Sequence, residues 1–227
     1  MAGTMSMTTD KIDQLSGLLS ERILLLDGAM GTMIQRLALD EKAVRGERFA
    51  DHHKDLSRFS DILSLTHREK ITDIHRAYFA AGCDIVETNS FNASLVGMIE
   101  FELPDTLADE INQAAVQCAR EAAEEYTAKT PGKPRFVAGS IGPTGRQTAI
   151  STRVEDPAHR DVTFMEMVDS YRRQIAVLVE SGVDILLPET AIDTLNLKAC
   201  LFAIQDYFRT TGKEIPVMVS ATFDRGG

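Results

Sequence analysis

Two periodicities alternate along the chain. Short apolar runs at 23–26, 84–86, 135–138, 184–187 and 216–219 read as strands buried on both faces. Between them apolar residues recur every three or four positions, the spacing of a helix with one buried face. Thr66 to Glu69 forms a capping box ahead of Ile71, Ile74 and Tyr78, and Gly82 follows as a stop. Thr106 opens a second helix with Leu107, Ile111, Ala114 and Cys118 on one face. A second box, Thr163 to Glu166, precedes Met167, Tyr171, Ile175 and Leu178, with Gly182 as the stop. Thr194 opens a fourth helix whose stripe is Leu197, Leu201, Ile204 and Phe208. Strand followed by helix, repeated, predicts right-handed βαβ units and a parallel sheet.

Residues 1–22 read as a lead-in, with 1–10 small, polar and disordered, and 23–227 as one domain. The first ten residues lack the apolar core of a signal peptide. Segment 40–61 is charged and weakly periodic, an insertion after the first strand. A Pro/Gly/Lys turn fills 127–134, and neither segment reads as an interdomain linker.

The predicted strands share a further property: each runs out into polar residues. These are Asp27, then Glu87, Thr88, Asn89 and Ser90, then Ser140, then Glu189 and Thr190, then Ser220 and Thr222. Gly28 and Gly31 bracket a tight turn after Asp27, and a carboxylate at the exit of a buried strand is costly unless it binds something. The stretch from Gly82 to Thr88 resembles that from Gly182 to Thr190, so Glu87 and Glu189 fall on the same strand face relative to Asp84 and Asp184. Whether the sheet closes into a (β/α)8 barrel or opens as a doubly wound sheet, its carboxyl ends gather these groups into one acidic, hydroxyl-rich pocket. Such a pocket suits a ligand carrying an ammonium group, such as an amino acid. Thr88 and Thr190 fit helix capping as readily as a site, whereas Asp27 and Glu189 point to a site. A second glycine-rich exit, Gly139 to Gly145, offers backbone N–H groups to an anion, although neither it nor the Gly28 turn carries a P-loop or GxGxxG pattern.

Composition narrows the partners. The 227 residues are 44% hydrophobic, enough for a sizeable core, and carry a net charge of -10 with a pI near 5.0. That surface repels phosphate backbones, which disfavours nucleic acid and anionic membranes, and no apolar run reaches membrane-spanning length. Cys83, Cys118 and Cys200 are far apart and without CxxC spacing, as expected in a reducing, cytoplasmic setting. Cys118 and Cys200 fall on apolar helix faces, and Cys83 precedes a strand at the end away from the pocket. His52 and His53 read as a solvated pair, His67 and His75 as the polar side of a helix, and His159 as a loop residue. None has metal-ligand spacing. No lysine stands at a strand exit, which argues against a Schiff-base aldolase.

Several of these strings together resemble a known family. Leu26-Asp27-Gly28-Ala29-Met30-Gly31-Thr32, the run from Asp84 to Phe91, Gly139 to Thr144, and Pro188-Glu189-Thr190 are similar to the homocysteine S-methyltransferase domain. Arg45 to Asp51, Ala77 to Gly82 and Asp193 to Ala199 resemble its cobalamin-dependent methionine synthase branch. The resemblance runs from about Ile12 to the last residue. It implies a TIM-type (β/α)8 barrel, of which this chain holds about the first five βα units. It implies that Asp27 and Glu189 meet the ammonium of homocysteine, that backbone amides near Gly28, Ala29, Met30 and Ser140 serve its carboxylate, and that Thr88 and Asn89 shape the pocket.

The same resemblance implies a zinc ion on three cysteines, one near the end of the sixth strand and a pair after the eighth, and methylcobalamin as methyl donor, recharged from 5-methyltetrahydrofolate. None of the three cysteines here matches those positions, so the zinc ligands are expected beyond Gly227, with the folate and cobalamin domains further on. On this reading no catalytic or metal-binding residue lies within the chain, no cofactor binds it, and it does not transfer methyl groups alone. Exposed barrel edges would favour self-association. The alternatives are a stand-alone methyltransferase using betaine or S-methylmethionine, and a non-catalytic amino-acid-binding or interaction fragment.

Overall fold

The computed structural model describes residues 3–146, 148–149 and 151–223, the first eight of these as backbone. In chain order the helices and strands are α1 (Gly3–Glu21), α2 (Met30–Arg36), α3 (Glu41–Arg45), α4 (Leu63–Thr66), α5 (Arg68–Ala81), β1 (Ile85–Glu87), α6 (Leu95–Met98), α7 (Asp105–Lys129), β2 (Phe136–Ile141), α8 (Phe164–Ser181), β3 (Ile185–Pro188) and α9 (Thr194–Thr211). The three strands form a parallel sheet in the order β1-β2-β3. Val86 pairs with Val137 and Ser140 with Leu187. Single parallel bridges extend it at both edges, Leu26 to Ile85 on one side and Leu186 to Val217 on the other.

Alternation along the strands sorts the core into two faces. Val86, Val137, Ile141 and Leu186 turn outward and pack with Phe79, Val116, Met167, Tyr171, Ile175, Ala203 and Ile204 from the surrounding helices. Ile85, Phe136, Ala138, Ile185 and Leu187 turn inward. Gly139 sits on the outward face because Leu178 and Val183 approach within 3.1 and 3.3 Å of where its Cβ would stand. Thr163 caps α8 in a complete capping box with Glu166, and Gly82 and Gly182 end α5 and α8 in the left-handed region at φ of 108° and 98°.

Five sequence expectations need correction. The segments 23–26 and 216–219 are not strands: each meets the sheet through a single bridge, Leu26 to Ile85 and Val217 to Leu186, and Ile23 is 85% exposed. The lead-in is not disordered: α1 starts at Gly3, and Leu15 is buried against Ile85, Phe136 and Ile185 on the inward face. Met1 and Ala2 lie outside the described residues. Thr66 does not cap α5, since its hydroxyl donates to the carbonyls of Val44 and Ile62. The charged insertion is a packing unit, with Val44, Leu56, Phe59, Ile62 and Leu63 buried in a second cluster against α5 and α7. His75, expected on a polar helix face, is wholly buried.

Candidate functional site

Asp27 leaves the first edge segment directly after the Leu26 bridge. Along that edge Ile85 N–H donates to the Leu25 carbonyl, and the next outward N–H, that of Glu87, donates to both Asp27 carboxylate oxygens at 3.1 Å. The Asp27 side chain thus takes the place of a strand carbonyl. Glu87 ends β1 on the inward face it shares with Ile85. Ser140 is inward on β2, opposite Leu187, and Glu189 follows β3 on the same face. Ser140 Oγ donates to Glu189 Oε1. Glu189 N–H donates to the Ile141 carbonyl at 3.0 Å, which fixes the start of its loop.

These acids influence one another's ionisation. Burial pushes the Asp27 carboxyl up to about 7, opposed by the Glu87 N–H and reinforced by the charge of Glu189. Burial lifts Glu87 to about 8, with the charges of Glu189 and Asp27 adding to it. Burial raises Glu189 as well, against the Ser140 hydrogen bond. Asp61, from the insertion, is raised to about 6 by burial; it accepts Asn92 N–H at 2.7 Å and Asn92 Nδ2 at 3.2 Å, and it too feels Glu189. Among the described residues none of the four acids has a lysine, arginine or histidine within ion-pair distance.

The other expected site residues divide into two groups. Gly28, Ala29 and Met30 form the turn into α2, and no hydrogen bond among the described residues uses their N–H groups. Ala29 is held at φ 21° and Thr190 at φ 57°, so left-handed backbone follows both Asp27 and Glu189. Each such position costs about 1–3 kcal/mol; Ala38 and Glu102, away from these exits, share the same backbone region. Thr88, Asn89 and the Ser140 amide are instead committed elsewhere. Ser140 N–H donates to Thr88 Oγ1 at 3.0 Å and is closed to a ligand carboxylate, contrary to expectation. Asn89 Nδ2 donates to the Ser60 carbonyl at 2.9 Å and to Ser64 Oγ at 3.2 Å, tying the β1 exit to the insertion. The Gly139–Gly145 stretch is no anion cradle either: Gly142 N–H donates to the Phe91 carbonyl at 2.9 Å, and the Phe91 ring lies 2.5 Å from where a Gly142 Cβ would stand.

The residues do not fit a three-thiolate metal site. Cys83 precedes β1, Cys118 lies on α7 and Cys200 on α9; all are buried. Burial raises all three thiols, Cys83 to about 12, whereas a metal ligand must be deprotonated. Among the described residues no three His, Cys, Asp or Glu side chains are placed to hold a metal ion.

Parallel strands packed against helices, with carboxyls collected at the strand exits, define part of a (β/α)8-type barrel, the fold whose carboxyl rim commonly carries the active site. The family model for homocysteine S-methyltransferase matches residues 24–227, and the chain belongs to that family. Among solved structures it is similar to the homocysteine methyltransferase MmuM from Escherichia coli. The metallated form is 25% identical, with a TM-score of 0.66 over 86% of this chain and 63% of that one. The oxidised form is 23% identical, with a TM-score of 0.68 over 91% and 64%. The chain spans less than two thirds of the length of these structures.

Glu87 stands among the strand-exit groups in the sequence, although the resemblance assigns it no ligand contact. Asp61 carried no local signal, because its place under Asn92 depends on how the insertion folds back.

Proposed function

We propose that the chain is the homocysteine-holding part of a methyltransferase of the cobalamin-dependent methionine synthase type. The observation that carries this reading is a set of inward carboxyls at the strand exits with no cation among the described residues to neutralise them. Ion pairing with a ligand ammonium relieves that cost. Asp27 and Glu189 take the ammonium, with the Glu87 carboxyl beside them ready to ionise once that cation is bound, and the amides of Gly28, Ala29 and Met30 take the carboxylate. Thr88 and Asn89 act on the pocket wall through their bonds to Ser140, Ser60 and Ser64. The motif from Arg45 to Asp51, which resembles the methionine synthase branch, supports that branch; its Arg45 guanidinium donates to the carbonyls of His52 and Lys54 and closes the insertion on itself. On this reading the chain works in the cytoplasm beside folate and cobalamin domains.

A free thiol with a pKa of about 8.5 is only a few per cent ionised at pH 7. The family's zinc supplies the thiolate, and the described residues do not assemble a donor set for it. We therefore infer that the chain by itself binds homocysteine without methylating it. Calorimetry with homocysteine, with and without added zinc, tests the binding: uptake that zinc leaves unchanged supports the reading, and no uptake in either condition overturns it. Methionine formed from homocysteine and methylcobalamin above a no-protein control overturns the inactivity. The similarity to MmuM favours a second reading, a stand-alone homocysteine methyltransferase. Methionine formed with S-methylmethionine, and none with methylcobalamin, selects it.

A further inference from the structure

Two buried hydroxyls and the Ser140 backbone close a ring between the exits of β1 and β2. Thr88, Ser90 and Ser140 are 3%, 0% and 2% exposed. Ser140 N–H donates to Thr88 Oγ1 at 3.0 Å, Thr88 Oγ1 and Ser90 Oγ are 2.7 Å apart, and Ser90 Oγ meets the Ser140 carbonyl at 2.8 Å. The proton directions follow from donor capacity. A carbonyl only accepts, so the single Ser90 hydroxyl proton goes to Ser140, and Thr88 is the donor to Ser90. Thr88 thereby accepts from the Ser140 amide while its own proton is spent on Ser90. Both backbone polar groups of Ser140 are held by this ring, and its side chain is left to donate to Glu189.

We propose that Thr88 and Ser90 are positioning residues, a hydroxyl clasp that fixes Ser140 so that its hydroxyl holds the Glu189 carboxylate toward the ligand ammonium. The inference rests on the homocysteine-binding reading. It assigns Thr88 a role through Ser140 and no contact with the ligand. Gln174 anchors the clasp from outside, donating from Nε2 to the Ser90 carbonyl at 2.8 Å. The clasp explains why a threonine stands at a wholly buried position directly after Glu87, where a valine would fill the same volume.

The test compares Thr88→Val, Thr88→Ser, Ser90→Ala and Ser140→Ala. One arm needs no ligand. Nuclear magnetic resonance follows hydrogen exchange at the Ser140 amide and the titration of the Glu189 carboxyl, which also faces Asp27, Glu87 and Asp61. Thr88→Val and Ser140→Ala should both move the Glu189 titration upward, since each removes a donor or its support. Thr88→Val should also speed Ser140 exchange, and Thr88→Ser should restore both readouts. If Glu189 titrates unchanged in Thr88→Val while Ser140→Ala shifts it, the clasp is not what positions Ser140. The second arm measures homocysteine affinity: about a tenfold loss for Thr88→Val, and no loss beyond that of Ser140→Ala when the two are combined. Additive losses overturn the proposal. Should Thr88→Val fail to fold, Ser90→Ala takes its place in both arms. If the unmodified chain binds no homocysteine, the functional reading falls, and the first arm still decides the clasp.

Discussion

At the amino end of β1, Asp84 is buried and meets the Arg22 guanidinium at 2.7 and 2.9 Å, with Lys133 at 3.5 Å and the Leu25 N–H at 2.9 Å. At the carboxyl end of the same strand, Glu87 has no cation among the described residues. The repeat gives β3 the same asymmetry. Asp184 is bound by Lys11 and Arg120, each at 2.8 Å, while the Glu189 side chain has, among the described residues, the Ser140 hydroxyl alone. Burial works to raise Asp84, but Arg22, the Leu25 amide and Lys133 outweigh it and hold the carboxyl below the usual range. Burial of Glu87, with its neighbours' charges added, lifts it instead to about 8. One rim has its charges neutralised from within and serves stability. The other holds carboxyls whose raised pKa values keep them close to neutral until an external cation lets them ionise.

The largest effect should come from breaking the neutralised rim. Asp84→Ala strands Arg22 and the Leu25 amide and detaches the end of α1; it should lower unfolding free energy by about 3 kcal/mol in urea titrations. A change under 1 kcal/mol would show that the amino rim is not a stability device.

Acid comes next. His75 is wholly buried, neither ring nitrogen has a partner, and burial lowers its pKa to about 3. The unfolded chain binds the proton first, so stability should fall as pH drops from about 6.5 toward 3. His75→Leu should flatten that limb in thermal melts.

At the ligand rim the sign reverses. Asp27 and Glu87 ionise later in the fold than in the unfolded chain, so between about pH 4 and 8 they should cost stability as pH rises. Asp27→Asn keeps an acceptor for the Glu87 N–H and removes the charge. It should raise stability by about 1 kcal/mol at pH 8, leave it near wild type at pH 4, and abolish homocysteine binding. Loss of both stability and binding at pH 8 would contradict the account of this rim.

The smallest effect is a control. Arg76 bridges α5 and α7 through Glu121 and Glu125, with Glu69 and Asp73 also in contact, at the molecular surface. Arg76→Met should cost less than about 1 kcal/mol, and high salt should erase the difference. A cost as large as that of Asp84→Ala would mean that burial does not distinguish the amino rim from ordinary surface pairs.

The sequence by itself determined the local grammar: three of the five strands to within a few residues, the left-handed stops at Gly82 and Gly182, the Thr163 capping box, and acids at the strand exits. These rest on chain-neighbour physics, in which side-chain alternation and backbone preference act over a few residues. Tertiary structure alone decided which acids received cations, because Lys11 reaches Asp184 and Arg120 joins it from distant elements. It also decided that Thr88 braces Ser140, that Asp61 lies beneath Asn92, and that α1 covers the inward face. His75 belongs with these. Its helix is flanked by both apolar clusters and keeps a polar face at Glu69, Asp73 and Arg76, while His75 falls on the buried side.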